Sequence, residues 1–335
     1  MTDWTAVQRQ SISEKIMVKV LDKNYERILV TSGEDDVAVA WLTSRLLLFP
    51  YSIGIIIAVF NRLREITCAA TRTVSIFQEE FAVKEAAVHN MYLVHGTTCF
   101  NEILSVLSRY PQSIPLQTAG LSFLIVLLRP IHGENLSNSR LGLRKLINDS
   151  QAAKEIIIVA SHHRNNYILI ELLLKVCTNL DQYSMQKSYL LQNGIFSLVI
   201  TTMRHHLECS SVQLAGLATL RNFLHDDFRT HDTDPYEILH AVVGICIDVC
   251  SLHYIYEHHK EGQGYLVDST VMNLIQHLTL YSHHKILLDD ERLKSLLQMI
   301  YDRYSDVDEM LQHNSSSVIT MTLLAIDVMK RVTSG

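Results

Sequence analysis

The stretch VQLAGLATLRNFL, which spans Val212–Leu224, has a near-copy earlier in the same chain. Residues Leu116–Leu128 have the sequence LQTAGLSFLIVLL and carry Gln, Ala, Gly and Leu at the same places, 96 residues earlier. In both stretches apolar residues occupy more than one side of a helix, which is typical of a helix packed between neighbours. We expect helices to approach each other closely at Ala215 and Gly216, which explains why these residues are small. The duplicated helix therefore indicates duplicated packing.

The composition favours long helices throughout the chain. Of its 335 residues 48% are hydrophobic, and there are only 5 Pro and 12 Gly, the residues that strands and turns use most. No convincing stretch alternates apolar and polar residues with the period of two that a half-buried strand requires. The apolar periodicity predicts helices over Ser13–Leu29, Val37–Leu48, Phe81–Val94, Tyr167–Leu180, Ile238–Ile255, Val267–Leu280 and Val318–Val332.

Charge and cysteine content argue against several classes of protein. The formal net charge is −6 and there is no run of Lys or Arg, so we expect no nucleic-acid partner. The 6 cysteines are scattered and mostly lie within apolar helical patterns, as reduced thiols do in intracellular proteins. The first residues lack the apolar core of a signal peptide. We therefore predict an intracellular protein, in the cytoplasm, the nucleus or both.

One apolar segment resembles a membrane span but is too short for one. Residues Leu46–Phe60 have the sequence LLLFPYSIGIIIAVF, which Pro50 interrupts and Asn61 and Arg62 follow closely. A membrane-spanning helix needs about 20 apolar residues in a row. We expect no membrane span and instead predict two buried helices, separated by Pro50 and Gly54.

The same short unit recurs along the chain: a polar turn, a short helix, a polar link and a longer helix that is apolar nearly all round. Residues Asn193–Leu224 are the clearest copy, and they resemble one armadillo repeat. The resemblance rests on Gly194 before the second helix and on the Val-Gln, Ala-Gly and Leu-Arg-Asn pattern of the third. Repeats of about 40–47 residues are typical of armadillo and HEAT arrays, whose units stack to share one core.

The resemblance implies an all-α fold, a right-handed α-solenoid of armadillo/HEAT-like repeats. We expect residues 1–12 to form a flexible N-terminal segment. Residues 13–332 are then a single repeat domain of about six or seven irregular repeats. Insertions such as the one at residues 130–139 make the spacing irregular.

Armadillo proteins that hold extended peptides carry a ladder of Asn residues, whose amides pair with the backbone of the ligand. Asn222 stands at that place, next to Arg221, and Asn179 aligns with it 43 residues earlier. The ladder breaks at Val126, and neither Trp of the chain is near these Asn residues. The resemblance thus implies a partner-binding role for Asn179, Asn222 and Arg221. The alternative is that Asn222 caps or ties the loop after its own helix.

Two links are long for helix–helix connections and are candidate recognition loops. One is Pro111–Pro115, and the other is Phe228–Tyr236, which is charged and includes Phe228, His231 and Tyr236. Exposed loops on one edge of a solenoid often carry recognition. The alternative for such a segment is a disordered insertion.

Histidine and cysteine supply the other candidate sites. The chain has four His doublets, at residues 162–163, 205–206, 258–259 and 283–284. Most of them are expected near helix ends, where imidazoles meet carbonyl groups. A pH-dependent contact is the alternative for them. Cys246, Cys250 and His253 share one helical face and form a weak candidate zinc site, since thiolate and imidazole are ligands that zinc prefers. A structural site needs a fourth ligand, and buried thiols in a stacked helix explain the pattern equally well.

No motif for catalysis or for a cofactor is present: the chain lacks a GxSxG elbow, a phosphate-binding loop and a GxGxxG turn. We therefore expect no enzyme and no cofactor. The expected function is that of a non-catalytic scaffold or adaptor, which holds another protein or peptide segment, or a second copy of itself, on its concave face or edge loops. The alternative is a regulatory or sensory helical domain that responds to a small ligand, a metal or pH.

Overall fold

The computed structural model describes residues 4–32, 35–69, 99–128, 145, 147–224, 235–256, 263–279 and 291–304. All regular structure within these ranges is α-helical, so the predicted all-α class is confirmed there. The helices of the first half are α1 (Trp4–Ser32), α2 (Asp35–Leu48), α3 (Ile53–Ala69), α4 (Cys99–Arg109), α5 (Ile114–Leu127) and α6 (Ala152–His162). They are followed by α7 (Tyr167–Leu180), α8 (Ser184–Gln192), α9 (Ile195–His205), α10 (Ser210–Phe223), α11 (Pro235–Tyr256), α12 (Gln263–Thr279) and α13 (Glu291–Tyr304).

Most of the predicted helices agree with these elements. Three predictions, about a terminal segment, a glycine and a link, differ from the structure. Helix α1 begins at Trp4 and includes most of residues 1–12, the segment predicted to be flexible. Gly54 lies inside α3, so Pro50 and its neighbours separate the two helices without it. The long link predicted at Pro111–Pro115 is wrong, because Pro115 occupies the first turn of α5, where its missing N–H costs no hydrogen bond. The helices predicted at 81–94 and 318–332 lie outside the described residues.

Contacts between Cα atoms divide the chain into two units: residues 1–163 with 179–187, and residues 164–178 with 188–335. In the first unit, α2, α4 and α6 contact one another in series, and α3 contacts α5. In the second unit, α9, α11 and α13 contact one another in series, and α10 contacts α12. Within each unit, the first helix of one hairpin therefore packs on the first helix of the next hairpin. The second helices of successive hairpins likewise pack on each other. That residues 13–332 form a single domain stays a prediction.

Four helix pairs are joined by connections of the same length. The connections 49–52, 110–113, 163–166 and 206–209 are each four residues long. In three of them the amide of the last residue donates to the carbonyl of the first: Ser52 to Phe49, Ser113 to Tyr110 and Cys209 to His206, with N–O distances of 3.2, 3.1 and 2.9 Å. The hairpins α2–α3, α4–α5 and α9–α10 therefore share one turn geometry.

The matching residues of the two opening stretches have matching environments. A Cβ atom on Gly216 would lie 2.5 Å from Sδ of Met203, and one on Gly120 would lie 2.5 Å from Cδ2 of Leu107. Met203 and Leu107 occupy corresponding places, 96 residues apart. The prediction that Gly216 permits a close helix approach is confirmed, and the same holds for its earlier counterpart.

The glutamine that both stretches share joins the two helices of its hairpin. Gln117 and Gln213 are fully buried. Nε2 of Gln117 donates to the carbonyls of Leu107 and Tyr110, at 2.8 and 3.0 Å. Nε2 of Gln213 donates to the carbonyls of Met203 and His206, at 3.0 and 2.7 Å. These carbonyls belong to the last turn of the preceding helix and its connection, where carbonyls need donors from outside the regular helical pattern.

The apolar segment 46–60 is divided between α2 and α3, and residues such as Leu46, Ile56 and Phe60 are fully buried in the protein core. No helix among the described residues has the length and apolar character that crossing a bilayer requires.

Candidate functional site

Both asparagines that the armadillo resemblance singles out are half-buried and bond a neighbouring helix. In the first unit, Nδ2 of Asn179 donates to the carbonyl of Ile125 in α5, at 2.9 Å. In the second unit, Nδ2 of Asn222 donates to the carbonyl of Thr178 in α7, at 3.3 Å. The two acceptors occupy corresponding places in their helices. Each side-chain amide therefore donates a hydrogen bond within the protein. A role of these asparagines in binding a partner stays a prediction.

Of the other predicted partner-binding residues, the structure describes the side chain of Arg221 alone. Arg221 is exposed and adjoins Asn222 near the end of α10. Tyr236 lies in the first turn of α11, and its side chain is outside the described residues, as are Phe228 and His231. The loop recognition site proposed for residues 228–236 stays a prediction.

Exposed apolar side chains instead mark the hairpin connections, a feature that sequence analysis missed. The described residues include 11 large apolar side chains that are exposed, and six of them lie in a four-residue connection or within two residues of one. These six, which we call the edge residues, are Leu47, Leu48, Tyr51, Ile114, Tyr167 and Ile168. The only signal for them in the sequence is an apolar residue beside a turn, and that pattern does not distinguish an exposed residue from a buried one.

The histidine doublets that the structure describes lie at helix ends, as predicted. His162 ends α6 and His205 ends α9. The second member of each doublet donates from Nε2 to a carbonyl of another connection: His163 to Pro111 in the first unit, and His206 to Arg164 in the second, the latter at 2.7 Å. Tyr110 makes the equivalent bond, from its hydroxyl to the carbonyl of Pro50 at 3.3 Å.

These three bonds have one geometry. In each, the first residue of a connection donates to the second residue of another connection within the same unit. A bond that recurs at corresponding places is what serial packing of similar hairpins produces. The other two doublets lie outside the described residues.

The candidate zinc ligands are only partly described. Cys246 and Cys250 are buried in α11, and burial, with a smaller contribution from the Asp248 carboxylate, raises the pKa of Cys246 to about 12. In the metal-free chain a thiol with such a pKa is protonated at neutral pH, and zinc binding would require it to release that proton. The side chain of His253 is outside the described residues. Among the side chains that are described, no group of three or more His, Cys, Asp or Glu residues is placed to hold a metal.

A cleft of about 500 Å³ lies between α1 and the connection of the first hairpin. Its walls include Met17 of α1, together with Leu48, Tyr51 and Ile53. Leu48 and Tyr51 are edge residues, so the cleft continues the exposed apolar surface of that connection. An apolar concave surface with polar groups at its rim is the usual form of a site for a ligand side chain.

Comparison of the chain with models of known protein families, with curated proteins and with solved structures found no match to any of them.

Proposed function

We propose that the protein is an α-solenoid of armadillo/HEAT type that acts as a non-catalytic scaffold for a partner protein. The equivalent connections, the matching Gly and Gln contacts and the recurring bonds between connections support the repeat interpretation. In such an array each hairpin covers the apolar face of the next, so the core consists of contacts between neighbouring repeats. Function then depends on the surfaces that stacking leaves open.

The observation that carries this proposal is the position of the edge residues. Tyr51 is 80% exposed and Leu48 is 60% exposed, and both lie where two helices of a hairpin meet. Removing apolar surface from water is favourable by about 25 cal/mol per Å² before the costs of association, which favours a partner at such positions. The edge of an array is also where loops extend a binding surface without disturbing the core.

Within this proposal the predicted site residues retain a role. Arg221 is exposed, and an arginine on the surface of an interface can pair with a partner carboxylate. Asn179 and Asn222 remain the asparagines that we assign to partner binding, since an amide side chain can both donate and accept hydrogen bonds. We propose that binding takes place inside the cell, in the cytoplasm, the nucleus or both.

The test is co-purification of partners with variants of the full chain. The double substitution Leu48→Glu with Tyr51→Ala removes the most exposed apolar edge residues, and Met185→Glu is the matched control. Met185 is 63% exposed and is not one of the edge residues, since it lies in the first turn of α8, after a three-residue connection. Tagged proteins are expressed in the native source, and bound proteins are quantified by mass spectrometry.

We expect the wild type and Met185→Glu to retain the same partners and the edge variant to lose at least one of them. Light scattering after gel filtration identifies the case in which the partner is a second copy. Identical sets of bound proteins for all three chains, with unchanged helical content, would contradict a binding role for the edge.

A further inference from the structure

Helix α1 carries exposed lysines along one side. Lys15, Lys19 and Lys23 are exposed, and their spacing of four residues places them along one side of the helix. None of the three forms a salt bridge among the described residues. The exposed Glu26 lies in the same row, so the row carries three positive charges and one negative charge, on a chain whose net charge is −6.

Two of the three acidic residues of α1, Glu14 and Asp22, bond other residues of the first unit. Oε1 of Glu14 accepts hydrogen bonds from Oγ of Ser52 and from the backbone amide of Gly54, at 2.8 and 2.7 Å. Asp22 pairs with Arg62 of α3 at 3.1 Å. These bonds hold α1 against α3 and fix which side faces outward, so the lysine row is a property of the packed structure.

Apolar side chains lie between the lysine row and the cleft. Ile16 is 57% exposed and Val20 is 53% exposed, and each follows a lysine by one position, about 100° further round the helix. Met17 comes next in the same direction and lines the cleft, where the edge residues Leu48 and Tyr51 form the opposite wall. The guanidinium of Arg109 lies over the ring of Tyr51, 5.7 Å from its centre, and also donates to the carbonyl of Pro50 at 3.2 Å.

We propose that this α1 surface, formed by the lysine row, Ile16, Val20 and the cleft, docks an acidic amphipathic helix of a partner protein. Carboxylates along one side of that helix meet the lysines, its apolar stripe covers Ile16 and Val20, and one large apolar side chain fills the cleft. This inference rests on the proposed scaffold function and names the partner chemistry for one of its surfaces. Helices in grooves are bound in this way, through anchors spaced by three and four residues.

The shape and charge of the surface favour this occupant over two others. A lipid bilayer is flat on the scale of the cleft and would leave its apolar walls unfilled, although its anionic headgroups would attract the lysines. A second copy, paired through the same face, would place the two lysine rows close together, where like charges repel. An acidic helix satisfies both the charge and the cleft.

The test uses the full chain and three probes of stated composition. One is a labelled helical peptide of about 18 residues with Leu at positions i, i+3, i+4 and i+7 and Glu at the other positions. The second has Lys in place of every Glu, and the third is a phosphatidylcholine vesicle with 30% phosphatidylserine. The variants are K19E/K23E and L48E, and the control K145E/K154E makes the same charge change at two exposed lysines elsewhere in the first unit.

We expect the wild type to bind the acidic peptide at least ten-fold more tightly than the basic one, with affinity falling as salt is raised. We expect about a ten-fold loss for K19E/K23E and for L48E, and less than a two-fold change for K145E/K154E. Equal affinity for both peptides, or tighter binding to the vesicles than to the acidic peptide, overturns the proposal. If K19E/K23E keeps every partner that the wild type co-purifies, the scaffold function stands and this assignment of its surface falls.

Discussion

At Gly216 the space for a side chain is already occupied by Met203. A glycine in the middle of a helix costs about 0.5–1 kcal/mol relative to alanine, because it loses more backbone entropy on folding. Its presence in both copies of the opening stretch is therefore a packing requirement, since a Cβ there would lie 2.5 Å from a side chain of the preceding helix.

The first prediction compares two glycine-to-alanine substitutions. Gly216→Ala should lower the free energy of unfolding by about 1 kcal/mol, because the overpacking cost exceeds the gain in helix propensity. Gly244→Ala, in α11, should raise it by about 0.5 kcal/mol, since the nearest atom to its Cβ would be 3.7 Å away and the same propensity gain applies. Urea unfolding followed by circular dichroism measures both. Changes of the same sign at both positions would contradict the packing explanation.

A second prediction concerns the buried thiols. Burial raises the pKa of Cys177 and of Cys246 to about 12, from an ordinary value of 9.0. Both thiols stay neutral in the folded chain, and the unfolded chain releases their protons more readily. Their contribution to stability is therefore complete below about pH 9 and declines as the pH rises toward 12.

Labelling with iodoacetamide at pH 8, followed by peptide mass spectrometry, checks this. Cys177 and Cys246 should react only after denaturation, whereas the half-buried Cys209 should react in the native protein. Rapid native labelling of Cys246 would show that α11 is not packed as described.

Between elements, the shared glutamine joins the two helices of a hairpin. Gln213 is fully buried, and one nitrogen serves two carbonyls around the end of α9. Only a donor is useful at this place, because the groups it faces are both acceptors. The amide hydrogens of this side chain are therefore the feature that the hairpin requires.

The third prediction follows from this requirement. Gln213→Leu should cost about 1–3 kcal/mol of unfolding free energy, because two buried carbonyls lose a donor. Gln213→Glu should cost more at pH 7, since a carboxylate repels those carbonyls, and the loss should diminish at low pH as the carboxyl group becomes protonated and donates. Gln298→Leu, on the exposed side of α13, is the control and should change stability by less than about 0.5 kcal/mol. A Gln213→Glu deficit that does not depend on pH would refute the donor role.

At the scale of the whole molecule, stacked repeats and a single globule differ in how a local defect spreads. Stability in a repeat array is the sum of terms for each repeat and for each contact between neighbours. A globule loses stability everywhere when one core residue is truncated. Because α9 and α10 contact α11 and α12 in the second unit and α10 also bonds α7, the array interpretation limits the effect of a defect to these neighbours.

The fourth prediction uses Met203→Ala, which removes a fully buried side chain and should cost about 2–5 kcal/mol. Hydrogen exchange measured by mass spectrometry should accelerate in α9 to α12 and remain unchanged in α1 to α3. Equal acceleration in every helix would show that the chain unfolds as one cooperative globule and would remove the basis for the solenoid proposal.

Local pattern was sufficient for the helices themselves. The bounds of α7 were predicted to the residue, and the correspondence of residues 116–128 with 212–224 was visible without any structure, because apolar periodicity and repeated side chains are properties of short segments. The same reasoning extended the link at Pro111 too far, since proline also fits the first turn of a helix.

The sequence by itself determined the helical class and the equivalence of two hairpins, because both follow from residue spacing along the chain. Tertiary structure alone decided that the amides of Asn179 and Asn222 bond neighbouring helices and that Leu48 and Tyr51 remain exposed. It also decided that Glu14 and Asp22 bond residues outside α1 while the lysines of α1 form no salt bridge among the described residues. The physical reason is that a bond partner and an exposed area depend on residues about 40 or more positions away, which no local period records.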